Sequence, residues 1–255
     1  MTERLDALLV QRGLAANAKA AEGEIRAGNV LVNELPVDKP GARVEAGAAI
    51  RLRVAAARFV SRGGLKLEAG LSAFNVEVSG RVCADLGCST GGFTDCLLQR
   101  GATKVYAVDV GYGQLAWSLR QDARVVPMER TNARLLDAFP EPVSLLVGDL
   151  SFVSASSMLP SFRRLLAAGG QVVLLVKPQF ELEREHVDAG GVVGSLAARR
   201  EALARVEAAA RLQNFTVRGH MESPIAGMKA GNREWLLHLS CAGPPPSEPN
   251  PPPPV

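Results

Sequence analysis

The chain has 255 residues, 47% of them hydrophobic, with a net charge of +3. It is long enough for one sizeable core and a small second domain, and its mild basicity permits binding to a polyanion without arguing for it. The longest strongly apolar run, "VVLLV" at 172–176, is far too short to cross a bilayer. The opening "MTERLDALL" mixes acids and bases where a secretion signal would be apolar. Cys83, Cys88, Cys96 and Cys241 form no CxxC pair, and there are three histidines. These counts argue against a disulfide frame or a metal site. The expectation is a cytoplasmic protein with reduced thiols.

Residues 1–59 read as a small α+β unit. "ERLDALLVQRGL" places Leu5, Leu8, Leu9 and Arg12 at helical spacing, and a second helix follows until Gly28 stops it. A short "VLV" strand comes next, and "GARVEAGAAIRLRV" reads as a strand pair. Residues 60–242 alternate strands and helices instead. "RVCADLG", "KVYAVDVG", "ARVVPME", "VSLLVGDL" and "QVVLLVKP" are apolar runs ending in polar residues. Between them "FTDCLLQRG", "GQLAWSLRQ", "NARLLDAF" and "SMLPSFRRLLAAGG" read as helices. This succession predicts a Rossmann-like, doubly wound and mostly parallel α/β sheet, with ligands at the carboxyl ends of its strands. A longer helix, "ALARVEAAARLQNF", precedes "FTVRGHMESPI" and "NREWLLHLS", which can close the sheet as an antiparallel hairpin. Residues 243–255 hold eight of the sixteen prolines and almost nothing apolar, so a disordered tail is expected there.

The stretch "ADLGCSTGGFTD" bears most directly on function. Its strand delivers Asp85, Gly87, Ser89, Thr90, Gly91 and Gly92 to the turn before a helix, where glycines let backbone approach a ligand closely. The next strand ends at Asp109, 22 residues after Gly87, where a carboxylate can accept ribose hydroxyls. The spacing is neither GxGxxG nor a phosphate loop with its Lys. Asp85 suits a ligand's ammonium better than a pyrophosphate. An amino-acid-bearing nucleoside, S-adenosylmethionine, fits an acid at both strand ends.

The place after the fourth strand reads "GDLSF" rather than the Asn/Asp-Pro-Pro-aromatic stretch of amine methylation, and there is no Pro-Cys for attack at cytosine C5. What these strand ends offer is Asp149 and Lys177, with Lys66 and Glu234 able to flank them. Two lysines and two acids in one cleft suit removal of a hydroxyl proton, because a partly desolvated Lys close to a second cation offers a free amine. Taken singly, Lys66 on a solvated helix face and Glu234 as an edge-strand charge are the simpler readings.

The ordered string "VSRGGLKL", "DLGCSTGGFTD", "VYAVDVGYGQL", "GDLSF", "LVKPQFE" and "GNREWLL" resembles the FtsJ/RrmJ-like methyltransferases. The segments "RLDALLVQRGL", "IRAGNVLVN" and "KPGARV" resemble an S4 RNA-binding domain. Together they resemble the TlyA, or haemolysin A, type of ribosomal RNA 2′-O-methyltransferase over residues 3–240. The resemblance implies a Lys-Asp-Lys-Glu tetrad at Lys66, Asp149, Lys177 and Glu234, with Lys177 as base. It implies S-adenosylmethionine contacts at Asp85, Gly87, Ser89, Thr90, Gly91, Gly92, Phe93, Asp109, Val110 and Asn132. It also implies a cytidine 2′-hydroxyl in 23S or 16S rRNA as acceptor, ribosomal RNA or ribosomal subunits as partners, and neither membrane nor DNA. RNA contacts would fall on Arg4, Arg12, Lys19, Lys39 and Arg62. The chain departs from the S4 pattern at "NAKAA", where Ser-Arg is usual, and at Asn33-Glu34, where Asn-Gly is usual.

A membrane-active haemolysin would need an amphipathic or membrane-spanning segment and a secretion signal, and the sequence offers neither. A catalytically silent RNA-binding protein is opposed by the complete tetrad. A small-molecule methyltransferase would have no use for an RNA-docking module.

Overall fold

A computed structural model describes residues 2–26, 28–52, 58–188, 190–227 and 231–242. The expected proline-rich tail lies outside the described residues. The chain divides into two compact units, Met1–Ala57 and Arg58–Val255.

In the first unit β1 (Thr2–Arg4) leads into α1 (Leu5–Gln11), followed by α2 (Ala18–Arg26), β2 (Val30–Val32), β3 (Leu35–Pro36), β4 (Arg43–Glu45) and β5 (Ile50–Leu52). Its core is Leu5, Leu9, Ala21, Ile25, Val30, Val32 and Ala48. The strand pair expected over "GARVEAGAAIRLRV" does not form as such. β4 pairs with β1, whereas β5 pairs with β2 in a separate sheet. Arg12 secures the turn between β4 and β5 by donating to the carbonyls of Ala48 (2.8 Å) and Ala46 (2.6 Å). The β2–β3 hairpin turns through Asn33 and Glu34, both left-handed (φ 49° and 68°), as a primed two-residue turn requires.

The second unit begins with α3 (Gly63–Ala73) and continues through β6 (Val82–Leu86), α4 (Gly92–Gln99), β7 (Lys104–Val108), α5 (Trp117–Arg120), β8 (Val125–Met128) and β9 (Leu145–Gly148). It ends with α6 (Ala155–Leu165), β10 (Gln171–Val176), α7 (Pro178–Glu181), α8 (Leu196–Leu212), β11 (Phe215–Glu222) and β12 (Trp235–Cys241). The seven strands run in the order β11-β12-β10-β9-β6-β7-β8. Strands β6 to β10 are mutually parallel, and β12 enters antiparallel to both β10 and β11, so the closing hairpin forms as expected. One face packs on Leu159, Phe162, Leu203 and Val206 of α6 and α8. The other packs on Leu67, Leu71, Phe93 and Leu97 of α3 and α4. Strand order reverses between β6 and β9, which opens a crevice at their carboxyl ends.

Two expected helices differ. "NARLLDAF" is a turn, because the Asn132 side chain accepts from the Arg134 N–H at 3.0 Å and Arg164 takes the carbonyls of Arg134 and Leu136, both at 2.9 Å. The region of "GQLAWSLRQ" is reduced to the single turn α5. Among the described residues, no helix is long and apolar enough to cross a membrane.

Candidate active site

The glycine loop leaves β6 against the end of β7. The N–H groups of Gly87 and Cys88 both donate to the Val108 carbonyl (2.8 and 3.1 Å). Asp109 ties the loop down, because Oδ2 accepts from the Ser89 N–H (2.8 Å) and Oδ1 from the Gly111 N–H (2.7 Å). Each oxygen keeps a lone pair for a further donor. The glycines at 91 and 92 also leave room for neighbouring side chains. Gly91 is left-handed (φ 94°), and a Cβ there would lie 2.3 Å from a Leu119 methyl. A Cβ on Gly92 would lie 2.2 Å from Ser61 Oγ. Phe93, the second residue of α4, is buried in the core.

Asp85 is fully buried at the end of β6. Its Oδ2 accepts from the Thr94 N–H (2.9 Å) and hydroxyl (2.8 Å), whereas Oδ1 has no partner. Burial, and secondarily the charge of Asp149, push its carboxyl up to about 7 against the pull of the Thr94 hydrogen bonds. An orphaned carboxylate oxygen beside a cleft is a place for a ligand cation.

Two lysine–carboxylate pairs flank this loop. Lys66 lies on the buried face of α3, not on a solvated one, and its Nζ donates to Glu234 Oε2 at 2.6 Å. Both side chains are almost wholly buried, with residue exposures of 7% and 2%. Lys177 leaves β10 beside Asp149 leaving β9, because these parallel strands are paired with Leu174 opposite Gly148. Lys177 Nζ sits 2.6 Å from Asp149 Oδ1 as an ion pair without hydrogen-bond alignment, and donates to Ser151 Oγ at 3.0 Å.

All four residues line one cleft of about 700 Å³, together with Asp85, Gly87, Ser89, Thr90, Gly92 and Phe93. At its rim the exposed ring of Phe152 lies 5.8 Å from that of Phe180. Arg62, exposed, donates to the Ala226 carbonyl (2.9 Å) and also lines the cleft. Gly91, Asp109, Val110 and Asn132 are not among the lining residues. Val110 is exposed next to Asp109, and the Thr131 N–H donates to the Asp109 carbonyl (2.9 Å), which keeps Asn132 near that strand end. In the first unit Arg4 is bound to Asp6 (Nε to Oδ1, 3.0 Å) and Arg12 to backbone carbonyls, while Lys19 and Lys39 are exposed.

Sequence reasoning passed over several lining residues. Gln179, with its Oε1 buried and without a partner, follows Lys177 on α7. Asn232 clamps the loop before α8, accepting from the Val193 N–H (2.8 Å) and donating to the Gly191 carbonyl (2.7 Å). Gly227 leaves room for Glu234, whose Oε1 would lie 2.7 Å from a Cβ there. For Gln179 and Asn232 the available signal was their position inside "KPQFE" and "GNREWLL", polar residues close to a strand end; Gly227 lies outside both stretches and carried no such signal.

The model of the FtsJ-like methyltransferase family matches residues 59–241, and that of the S4 domain matches residues 3–50. The chain is 45% identical over 239 residues to the 16S/23S rRNA (cytidine-2′-O)-methyltransferase TlyA of Mycobacterium tuberculosis, covering 92% of this chain and 89% of that one. It is 46% identical over 247 residues to YqxC of Bacillus subtilis, provisionally named an rRNA methyltransferase, covering 94% and 86%. A solved chain from Streptococcus thermophilus, described as a candidate haemolysin, superposes with a TM-score of 0.74 at 43% identity, covering 96% and 90%. The chain therefore belongs to the FtsJ-like methyltransferase family, in the TlyA group that carries an S4 domain ahead of the methyltransferase domain.

Proposed function

We propose that this enzyme methylates the ribose 2′-hydroxyl of cytidine in ribosomal RNA, with Lys177 receiving the hydroxyl proton. The observation that carries the reading is the presence of two lysine–carboxylate contacts, the buried Lys66–Glu234 and the half-buried Lys177–Asp149, in one cleft with the glycine loop. RNA is the substrate class. The ribosomal and cytidine assignments follow the relative from M. tuberculosis.

S-adenosylmethionine is the cofactor, and when bound it supplies an electrophilic methyl on its sulfonium. The residues suit its two polar ends. Asp85 offers a partnerless buried oxygen to an ammonium, and Asp109 offers the free lone pairs of two anchored oxygens to ribose hydroxyls.

Asp149 and Ser151 hold Lys177 Nζ in place. As the proton reaches that nitrogen, the charge facing Asp149 grows. The contact is therefore stronger late in the transfer than before it, which is what lowers a barrier. Lys66, fixed by Glu234, keeps a second cation in the cleft to stabilise an oxygen losing its proton.

Incubation with rRNA and labelled S-adenosylmethionine, followed by digestion to nucleosides, tests this. The expected product is 2′-O-methylcytidine, and label on a base would overturn the ribose assignment.

A further inference from the structure

The ion pair between Lys177 and Asp149 joins two loops, and something must hold those loops at a fixed separation. Asp149 and Ser151 lie on the segment 149–154 between β9 and α6, and Lys177 opens the segment that contains α7. The parallel pairing of β9 and β10 sets the strands but stops at Gly148 and Leu174, before either side chain.

Glu181, the last residue of α7, crosses this gap. Its Oε2 accepts from the hydroxyls of Ser154 (2.8 Å) and Ser156 (2.9 Å), and its Oε1 accepts from the Ala155 N–H (2.5 Å). These donors are the first residues of α6 and its cap, the point where the Asp149 loop ends. The Ser156 N–H also donates to Oε2 at 3.4 Å, so one carboxylate from the Lys177 side takes four hydrogen bonds from three consecutive residues on the Asp149 side. The N-terminus of an 11-residue helix favours that negative charge. The tilted Phe152–Phe180 contact is a weaker second tie between the same loops. Ser154 already caps α6 in the ordinary way, accepting from the Ser157 N–H at 3.3 Å, so the helix has a local cap without help from another loop.

We propose that Glu181 is a positioning residue for methyl transfer: it staples the loop bearing Lys177 to the loop bearing Asp149 and Ser151, and so fixes the lysine nitrogen in the cleft. The proposal rests on Lys177 acting as the base, and its test has an arm independent of that role.

The test compares wild type, Glu181→Ala, and Glu181→Ala combined with Ser154→Asp, whose carboxylate can cap α6 from within its own loop. Three quantities are measured: the melting temperature, the kinetics of RNA methylation, and the acetylation of Lys177 by limiting acetic anhydride relative to the exposed Lys39. Glu181→Ala is expected to lower kcat at least tenfold while leaving the RNA KM and S-adenosylmethionine Kd within threefold. Acetylation of Lys177 should rise several-fold. Adding Ser154→Asp should restore the melting temperature but neither kcat nor the protection of Lys177. Recovery of kcat and protection together with the melting temperature would make Glu181 a plain helix cap and overturn the proposal. Wild-type behaviour of Glu181→Ala would do the same. Should Glu181→Ala fail to fold, Glu181→Gln, which keeps the length and one acceptor oxygen, takes its place with the same expectations. A wild type inactive on RNA would count against Lys177 as base, and the acetylation arm would still decide whether Glu181 holds that lysine.

Discussion

Lys66 and Glu234 meet at 2.6 Å although 168 residues separate them. The contact ties the first helix of the methyltransferase unit to the start of its last strand, at the cleft. Each side chain is at most 9% exposed, so each charge depends on the other for solvation. Removing one partner strands a buried charge, whereas removing both removes the demand. Lys66→Met should cost about 3–5 kcal/mol in urea unfolding. The double variant Lys66→Met/Glu234→Met should recover more than half of that loss. A double variant as unstable as the single would show that packing, not charge, is at stake.

Asp85 makes stability depend on pH. Its carboxyl is held up to about 7 when folded, chiefly by burial, against about 3.9 in an unfolded chain. Between those values the folded state keeps a proton that the unfolded state releases, so the contribution to stability is present below about pH 4 and lost as pH rises to 7. Melting temperatures of ligand-free wild type should therefore fall relative to Asp85→Asn between about pH 4 and 7. Parallel profiles would contradict this. A ligand ammonium needs the ionised carboxylate, so affinity for S-adenosylmethionine should rise over the same window.

Asp109 anchors the glycine loop through the N–H groups of Ser89 and Gly111 and is proposed to hold the cofactor ribose. Charge-assisted hydrogen bonds contribute about 1.5–3 kcal/mol each. Asp109→Ala should therefore weaken S-adenosylmethionine binding at least tenfold by calorimetry. An unchanged Kd would remove Asp109 from the cofactor site.

Glu34 occupies a left-handed position (φ 68°) that glycine adopts without strain. Its ion pair with Arg51 is exposed, and such pairs add little. Glu34→Gly should raise the stability of the first unit by about 0.5–1 kcal/mol, measured by urea unfolding. A decrease would mean that the pair with Arg51 outweighs the backbone strain.

The strand ends were the readable part of this chain. Asp109, Asp149 and Lys177 each directly follow a strand of four to six residues, and Asp85 is the fourth residue of β6; a polar residue at a strand's carboxyl end has the crevice as its natural destination. The helix expected over 132–139 was not readable as a turn, because the bonds that decide it come from Asn132 locally and from Arg164 on α6. Lys66 could not be distinguished from a solvated lysine, since its burial depends on Glu234 far along the chain. That the glycines at 91 and 92 also accommodate Leu119 and Ser61 was not readable, because only the folded chain brings these neighbours near. The bonds that Arg4 makes to Asp6 and Arg12 to backbone carbonyls within their unit were likewise not readable.

The central claim is tested most directly by methyl incorporation from labelled S-adenosylmethionine into separated small and large ribosomal subunits, with Lys177→Ala alongside. Wild type should label at least one subunit. Lys177→Ala should label neither, while its S-adenosylmethionine Kd stays within several-fold of wild type. Undiminished incorporation by Lys177→Ala would remove Lys177 as the base, and a wild type that binds the cofactor but labels neither subunit would contradict ribosomal RNA as the acceptor.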